Sequence, residues 1–171
     1  MKIKIGKWKI RSWKDADVAA IVKYANNRKV WINLRDSFPH PYTEKYAIEW
    51  INHVKALNPQ TQFAIASDEE AIGGIGFLLQ NDVYRRSAEI GYWLGEPHWE
   101  KGIATKAVRA LTEYVFAHYD IVRIYASVFE WNRASARVLE KAGYTYEGRL
   151  RKCVTKDGKT IDQLMYAIVL E

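Results

Sequence analysis

Apolar and charged residues alternate over the first dozen positions. Ile3, Ile5, Trp8 and Ile10 alternate largely with Lys2, Lys4, Lys7, Lys9 and Arg11. This predicts a strand over Lys2–Ser12 with one wet basic face and one buried apolar face. Lysines along such an edge also deter pairing with another chain. Further strand-like runs cover Thr61–Ser67, Ala71–Asn81, Ala88–Leu94, Val122–Phe129, Tyr144–Arg151 and Thr160–Val169.

Helical spacing takes over between some of these runs. Val18, Ile21, Val22 and Ala25 mark one side of Asp15–Ala25, with Ser12 and Asp15 spaced like a capping box. Thr43 can cap a second helix that runs to Leu57, its face drawn by Ala47, Ile48, Ile51 and Val54 or Lys55. Ile103, Ala107, Ala110, Leu111, Tyr114 and Val115 recur at helical spacing around the run Lys106–His118. A fourth helix spans Asn132–Ala142 and is closed by Gly143.

Asp68, Glu69 and Glu70 form a short polar hairpin connection, and Lys156-Asp157-Gly158-Lys159 is a stronger one, Asp-Gly being a favoured tight-turn pair. Hairpins flanking a helical crossover after Leu94 define a mixed α/β class. The expected architecture is a mostly antiparallel sheet of seven strands with four helices. The 171 residues, 49% hydrophobic, suit a single domain spanning residues 1–171.

Other bulk properties narrow the setting. The one cysteine, Cys153, has no internal disulfide partner, the N-terminus lacks an apolar signal core, and no run is long enough to span a membrane. A cytoplasmic location is the expectation. The net charge of +6 raises nucleic acid as a partner, but the basic residues are spread along the chain. The same charge suits a polyanionic small molecule, whose local concentration a positive field raises.

Trp99-Glu-Lys-Gly-Ile-Ala-Thr105 is the most informative segment. A strand, a Gly-containing turn and a helix start aim unpaired N–H groups and a positive dipole end at one point, where a pyrophosphate would sit. Gly102 and Ala104 let the backbone approach an anion, and Gly102 can take a positive φ. Lys101 and Thr105 could add a charge and a hydroxyl. The alternative is an ordinary loop before a helix. Neither the P-loop nor the dinucleotide glycine pattern is present.

Three stretches in order carry a family likeness: Ala88-Glu-Ile-Gly-Tyr-Trp-Leu94, Trp99-Glu-Lys-Gly-Ile-Ala-Thr105, and Asn132-Arg-Ala-Ser-Ala-Arg-Val-Leu-Glu-Lys-Ala-Gly-Tyr144. With them the chain resembles the GCN5-related N-acetyltransferases, and within these the RimJ/RimL branch of ribosomal-protein N-terminal acetyltransferases. The family's Gln/Arg-x-x-Gly-x-Gly/Ala motif is matched at Gly102 and Ala104, with Trp99 where Gln or Arg is usual. The resemblance implies acetyl-CoA as co-substrate and requires no metal. The amides of Lys101, Gly102, Ile103, Ala104 and Thr105 would hold the pyrophosphate, and the strand end at Trp93 and Leu94 would pair with the pantetheine arm. That strand would splay from its parallel neighbour, Val122–Phe129.

Acetyl transfer to an amine needs a neutral nucleophile, since an α-amino group has a pKa of roughly 7.7–8.0 and a lysine about 10.4. Glu89 is the candidate base, directly or through water; the competing reading pairs it with Arg85 or Arg86. The tyrosine that protonates the thiolate in many family members corresponds to Leu139 here. The resemblance suggests Ser135 in its stead, with Asn132 bonded to the pantetheine arm; capping the helix is the alternative role for Asn132. Backbone N–H near Leu94 could polarise the carbonyl. Arg35, Asp36, Phe38, Tyr42 and Glu147 are candidates for the acceptor site, with Asp36 or Glu147 receiving the acceptor's ammonium. Aromatic residues there could equally be core.

The implied activity is direct acetyl transfer in a ternary complex to a primary amine, foremost a protein or peptide N-terminal α-amino group. A polyamine, an aminoglycoside-like small amine, or a silent coenzyme A binding module are the alternatives. Neither nucleic acid nor membrane is expected as a partner, and the chain is expected to be a monomer or homodimer.

Overall fold

The computed structural model describes residues 1–171. The Lys2–Ser12 run is two strands, β1 (Lys2–Ile5) and β2 (Trp8–Arg11), paired with Ile3 opposite Ile10 and Ile5 opposite Trp8. Gly6, at φ +78°, makes the tight turn. The apolar positions shift from odd to even numbers at Gly6-Lys7, so the hairpin was written into the pattern as a break in alternation.

The other strands are β3 (Gln62–Ala66), β4 (Ala71–Leu79), β5 (Ser87–Leu94), β6 (Arg123–Phe129), β7 (Thr145–Lys156) and β8 (Lys159–Val169). They form one open sheet in the order β1-β2-β3-β4-β5-β6-β8-β7, one strand more than expected. Only β5 and β6 pair in parallel. Parallel neighbours need a crossover, and α4 (Ile103–His118) supplies it.

The remaining helices are α1 (Val18–Ala25), α2 (Arg28–Trp31), α3 (Glu44–Ala56) and α5 (Arg133–Lys141). The short α2 has too few residues to show periodicity; Asn27 caps it by accepting the Lys29 N–H at 2.8 Å. No helix is long and apolar enough to cross a membrane.

Strand alternation divides the core into two layers. On one face, Ile10, Phe63, Phe77, Ile90 and Ile124 pack with Ile103, Leu111 and Val115 of α4 and Leu139 of α5. On the other, Trp13, Ala64 and Ala71 pack with Ile21 of α1 and Ala47, Ile51 and Val54 of α3. Each fully buried Ile or Leu contributes about 1.5–3 kcal/mol, which fixes the register of every central strand.

The pairing of β5 with β6 covers only Ser87–Glu89 against Arg123–Tyr125. Beyond it, β5 stays with β4 as far as Leu94, and β6 stays with β8 as far as Phe129. Each strand follows its antiparallel partner, so the two part and leave a wedge-shaped gap in the middle of the sheet.

Candidate active site

The gap has backbone groups along one edge. Gly95 N–H donates to the Ile72 carbonyl at 2.8 Å, and Gln80 N–H to the Ser87 carbonyl at 3.1 Å. In this antiparallel register the backbone groups of Ala88, Ile90, Tyr92 and Leu94 therefore turn away from β4 and towards β6. Ala88 meets β6 there, whereas Tyr92 and Leu94 lie past the last β5–β6 pair. The Leu94 carbonyl accepts the Trp99 indole N–H at 2.7 Å, tying the strand end to the turn that follows. The Leu94 amide faces the gap, as an extended ligand arm would require.

That turn opens onto the N-terminus of α4. Gly102 has φ +71° and ψ 8°, a left-handed conformation that a side chain would strain. The first helical bond runs from Lys106 N–H to the Gly102 carbonyl at 3.2 Å, so the amides of Ile103, Ala104 and Thr105 have no acceptor within the helix. A Cβ on Gly102 would project into open space, with nothing within 4 Å. Ile103 is fully buried and can offer only its backbone. Lys101 is exposed and donates to the Pro97 carbonyl at 2.8 Å. Unpaired main-chain donors and the helix dipole make the turn a candidate anion site.

Across the gap, Asn132 caps α5: its Oδ1 accepts the Ser135 N–H at 3.2 Å. Capping thus uses the Asn132 side-chain oxygen and leaves its NH2 group for another partner. Ser135 Oγ lies 2.7 Å from the Tyr92 hydroxyl, which joins β5 to α5. Burial around that hydroxyl pushes the Tyr92 pKa up to about 12. Leu139 is fully buried in the core and takes no part. The sequence reading missed Tyr92. Its signal was the alternation of Ala88, Ile90, Tyr92 and Leu94 on one face: a tyrosine among inward apolar residues needs a partner for its hydroxyl.

Glu89, Gly91 and Trp93 project to the opposite face. Glu89 does not pair with Arg85 or Arg86; Arg35 Nη2 donates to its Oε1 at 2.6 Å, while Arg86 pairs with Asp120. Two candidates far apart in sequence, Arg35 and Glu89, are thereby brought together. Tyr125 stands opposite Glu89 on β6, its pKa raised first by burial and then by the Glu89 charge. Nothing lies within 4 Å of where a Gly91 side chain would start, so the face is open beside Glu89.

Trp93 requires a correction. Strand alternation sends its side chain into the α1/α3 layer, edge-on to Phe38 at 5.6 Å, and its backbone groups bond to β4. Its backbone is thus committed to β4 and is not free to pair with a ligand arm. Tyr42 is likewise a core residue, 5% exposed, with its pKa pushed up to about 12 by burial. Phe38 packs on both and is only partly buried.

Neither carboxylate expected to receive an ammonium is free. Asp36 accepts from Lys156 Nζ at 2.8 Å, and that ammonium also sits 3.7 Å from the Trp31 ring centroid. Glu147 is held by both guanidinium nitrogens of Arg123, at 2.7 and 2.5 Å, and its pKa lies below the ordinary carboxylate range because of them. Lys156 reads in the sequence only as part of a hairpin turn, because a lysine beside a turn is normally solvated. Here the side chain is 2% exposed and clasps the segment after α2 to the β7–β8 hairpin.

Residues 8–145 match the family described as Acetyltransferase (GNAT) domain. The chain is 34% identical over 138 residues to the uncharacterized N-acetyltransferase YoaA of Bacillus subtilis (strain 168), covering 81% of this chain and 71% of that protein. It is 29% identical over 109 residues to the ribosomal-protein-serine acetyltransferase of Escherichia coli (strain K12), covering 64% and 60%. Mycobacterium smegmatis RimJ, solved in complex with CoA-disulfide, superposes with a TM-score of 0.85 at 25% identity, covering 96% of this chain and 83% of RimJ. With a split β5–β6 pair, a left-handed turn with unpaired amides after Leu94 and these relatives, the chain belongs to the GNAT family of N-acetyltransferases, on its RimJ/RimL-like side.

Proposed function

We propose that this acyltransferase takes its acetyl group from acetyl-CoA and delivers it to the α-amino group of a protein or peptide N-terminus. The observation that carries the reading is the gap itself. It has main-chain donors at the α4 turn and Leu94 on one side of the sheet, and Glu89 beside an open Gly91 on the other. A ligand arm and an acceptor entering from opposite faces would meet where β5 and β6 part.

Acetyl-CoA supplies an activated acyl group on a thiol leaving group. The chain's residues do the rest. The amides of Gly102 to Thr105 hold the diphosphate, with Lys101 nearby. The Leu94 amide is a donor for the carbonyl oxygen. Glu89 accepts a proton from the amine, directly or through water, and the Ser135 hydroxyl hydrogen-bonds the departing sulfur. Arg35 holds the Glu89 carboxylate by a hydrogen bond, and its positive charge opposes an approaching ammonium, which favours the neutral amine as nucleophile. Alignment of the two reactants can itself supply about 7–11 kcal/mol. The open space at Gly91 suits the slim end of a peptide, and the Escherichia coli relative acts on a ribosomal protein by its name.

Titration calorimetry of acetyl-CoA against the native chain and Gly102→Glu tests the cofactor. Binding lost in the variant supports the site, and absence of native binding overturns the reading. A subsequent acceptor screen of N-terminal peptides against polyamines and amino sugars tests the acceptor. Turnover of the small amines alone would reject the N-terminal assignment.

A further inference from the structure

The thiol leaving group has to be stabilised as its bond to the acyl carbon breaks, and an isolated serine is poorly suited to that task. Its hydroxyl rotates freely and, in the first turn of a helix, can turn back to bond a carbonyl of the preceding turn. Ser135 is not isolated. Its Oγ is 2.7 Å from the Tyr92 hydroxyl, whose oxygen is also 3.3 Å from the Ser135 carbonyl. Ser135 N–H is already committed to Asn132. Tyr92 of β5 and Asn132 of the β6–α5 connection thus hold Ser135 of α5 from two sides, one through its hydroxyl and the other through its backbone N–H.

We propose that Tyr92 is a positioning residue: its phenolic O–H donates to Ser135 Oγ, which leaves the serine proton as the one that points into the gap at the thioester sulfur. This rests on the reading that coenzyme A lies in the gap with its sulfur at Ser135. No proton leaves Tyr92. It holds the rotor, and the Ser135 O–H donates to the sulfur as negative charge develops there. Burial keeps the phenol protonated throughout the working pH range, so its O–H is always available to donate. Tyr144, which would feel a charge on Tyr92, is itself neutral and hydrogen-bonded to Thr112 at 2.7 Å. No ionised side chain hydrogen-bonds to the pair.

A serine aimed in this way stabilises a thiolate in the ground state as well, which gives a readout that needs no acceptor. The probe is coenzyme A, bound at saturation, with its thiolate followed by ultraviolet difference absorbance against pH. Bound to the native protein, the thiol is expected to show about tenfold more thiolate at a given pH than free coenzyme A, the scale of one hydrogen bond to a charged group. Ser135→Ala loses that gain, Tyr92→Phe loses most of it, and the double variant matches Ser135→Ala. Ser135→Thr, which keeps the hydroxyl and its tyrosine partner, retains it. A purely structural role for Tyr92 would lower the melting temperature and leave the thiol unmoved. If Ser135→Ala loses the gain and Tyr92→Phe keeps it, the assignment of Tyr92 is overturned and that of Ser135 stands. If the native complex shows no gain, both fall. If coenzyme A does not bind at all, the acetyl-CoA reading fails first.

Discussion

Arg35 and Glu89 meet across the sheet face, Nη2 to Oε1 at 2.6 Å, although 54 positions separate them. Glu89 is 17% exposed and sits on a central strand; Arg35 is 64% exposed and comes from the segment after α2. The pair is therefore anchored on the carboxylate side and more exposed on the guanidinium side, so displacing the arginine would leave the carboxylate in place.

Glu89→Gln should lower acetyl transfer by about 10²–10⁴-fold, the usual weight of a general base, with acetyl-CoA affinity unchanged. Arg35→Ala should act mainly on the acceptor KM. Steady-state kinetics with a peptide substrate check both. Full activity in Glu89→Gln would remove it from the chemistry.

Gly91→Val tests the path of the acceptor. A Cβ at this position meets no neighbour, so the fold should tolerate the change. The added bulk stands beside Glu89, and valine also suits an extended strand. Acceptor KM is expected to rise at least severalfold while calorimetric binding of acetyl-CoA is preserved.

At Gly102 the backbone, not crowding, requires glycine, because φ is +71° and the space beyond is open. Gly102→Ala should cost about 1–2 kcal/mol of stability through the left-handed conformation alone. Gly102→Glu adds a carboxylate where an anion would bind, and its loss of acetyl-CoA affinity should exceed that of Gly102→Ala. Denaturant melts together with calorimetry separate the two effects.

The Lys156–Asp36 pair should respond asymmetrically. Lys156 is 2% exposed and Asp36 76%. Lys156→Met returns a solvated carboxylate to water and buries an apolar chain of similar length on Trp31, so little stability should be lost. Asp36→Asn leaves a buried ammonium with the indole face as its main partner and should cost roughly 1–3 kcal/mol. Urea unfolding of both variants checks the order.

Alkaline titration should find Tyr42 and Tyr92 un-ionised up to about pH 12 and Tyr144 beyond that, burial being the first cause in each. A phenol whose pKa is raised by folding favours the fold fully below its ordinary value of 10 and loses that contribution as pH rises through its folded value. Spectroscopic tyrosine titration should thus show a late phase that coincides with unfolding. Tyr92→Phe should shrink that phase.

Much of this was legible in the chain. Period-two runs gave the strands, because a side chain's face depends only on its own position, and Thr43 and Asn132 marked helix starts because caps act over three residues. The left-handed turn at Gly102 and the unpaired amides behind it are also local properties. The N-terminal hairpin was present as a one-residue shift in the apolar pattern, small enough to read as continuous alternation.

What the sequence could not specify was partnership. Whether Glu89 meets Arg85, Arg86 or Arg35 depends on where α2 delivers its chain. That Asp36 and Glu147 are already occupied depends on β7 and β8 folding back beside β6. Tyr92 reaches Ser135 because two strands follow different antiparallel partners and part. These relations are set by packing among segments dozens of residues apart, whose contact energies appear only once the sheet is assembled. The sequence by itself therefore determined most of the elements and the left-handed turn at Gly102. Tertiary structure decided which polar groups were left free to act.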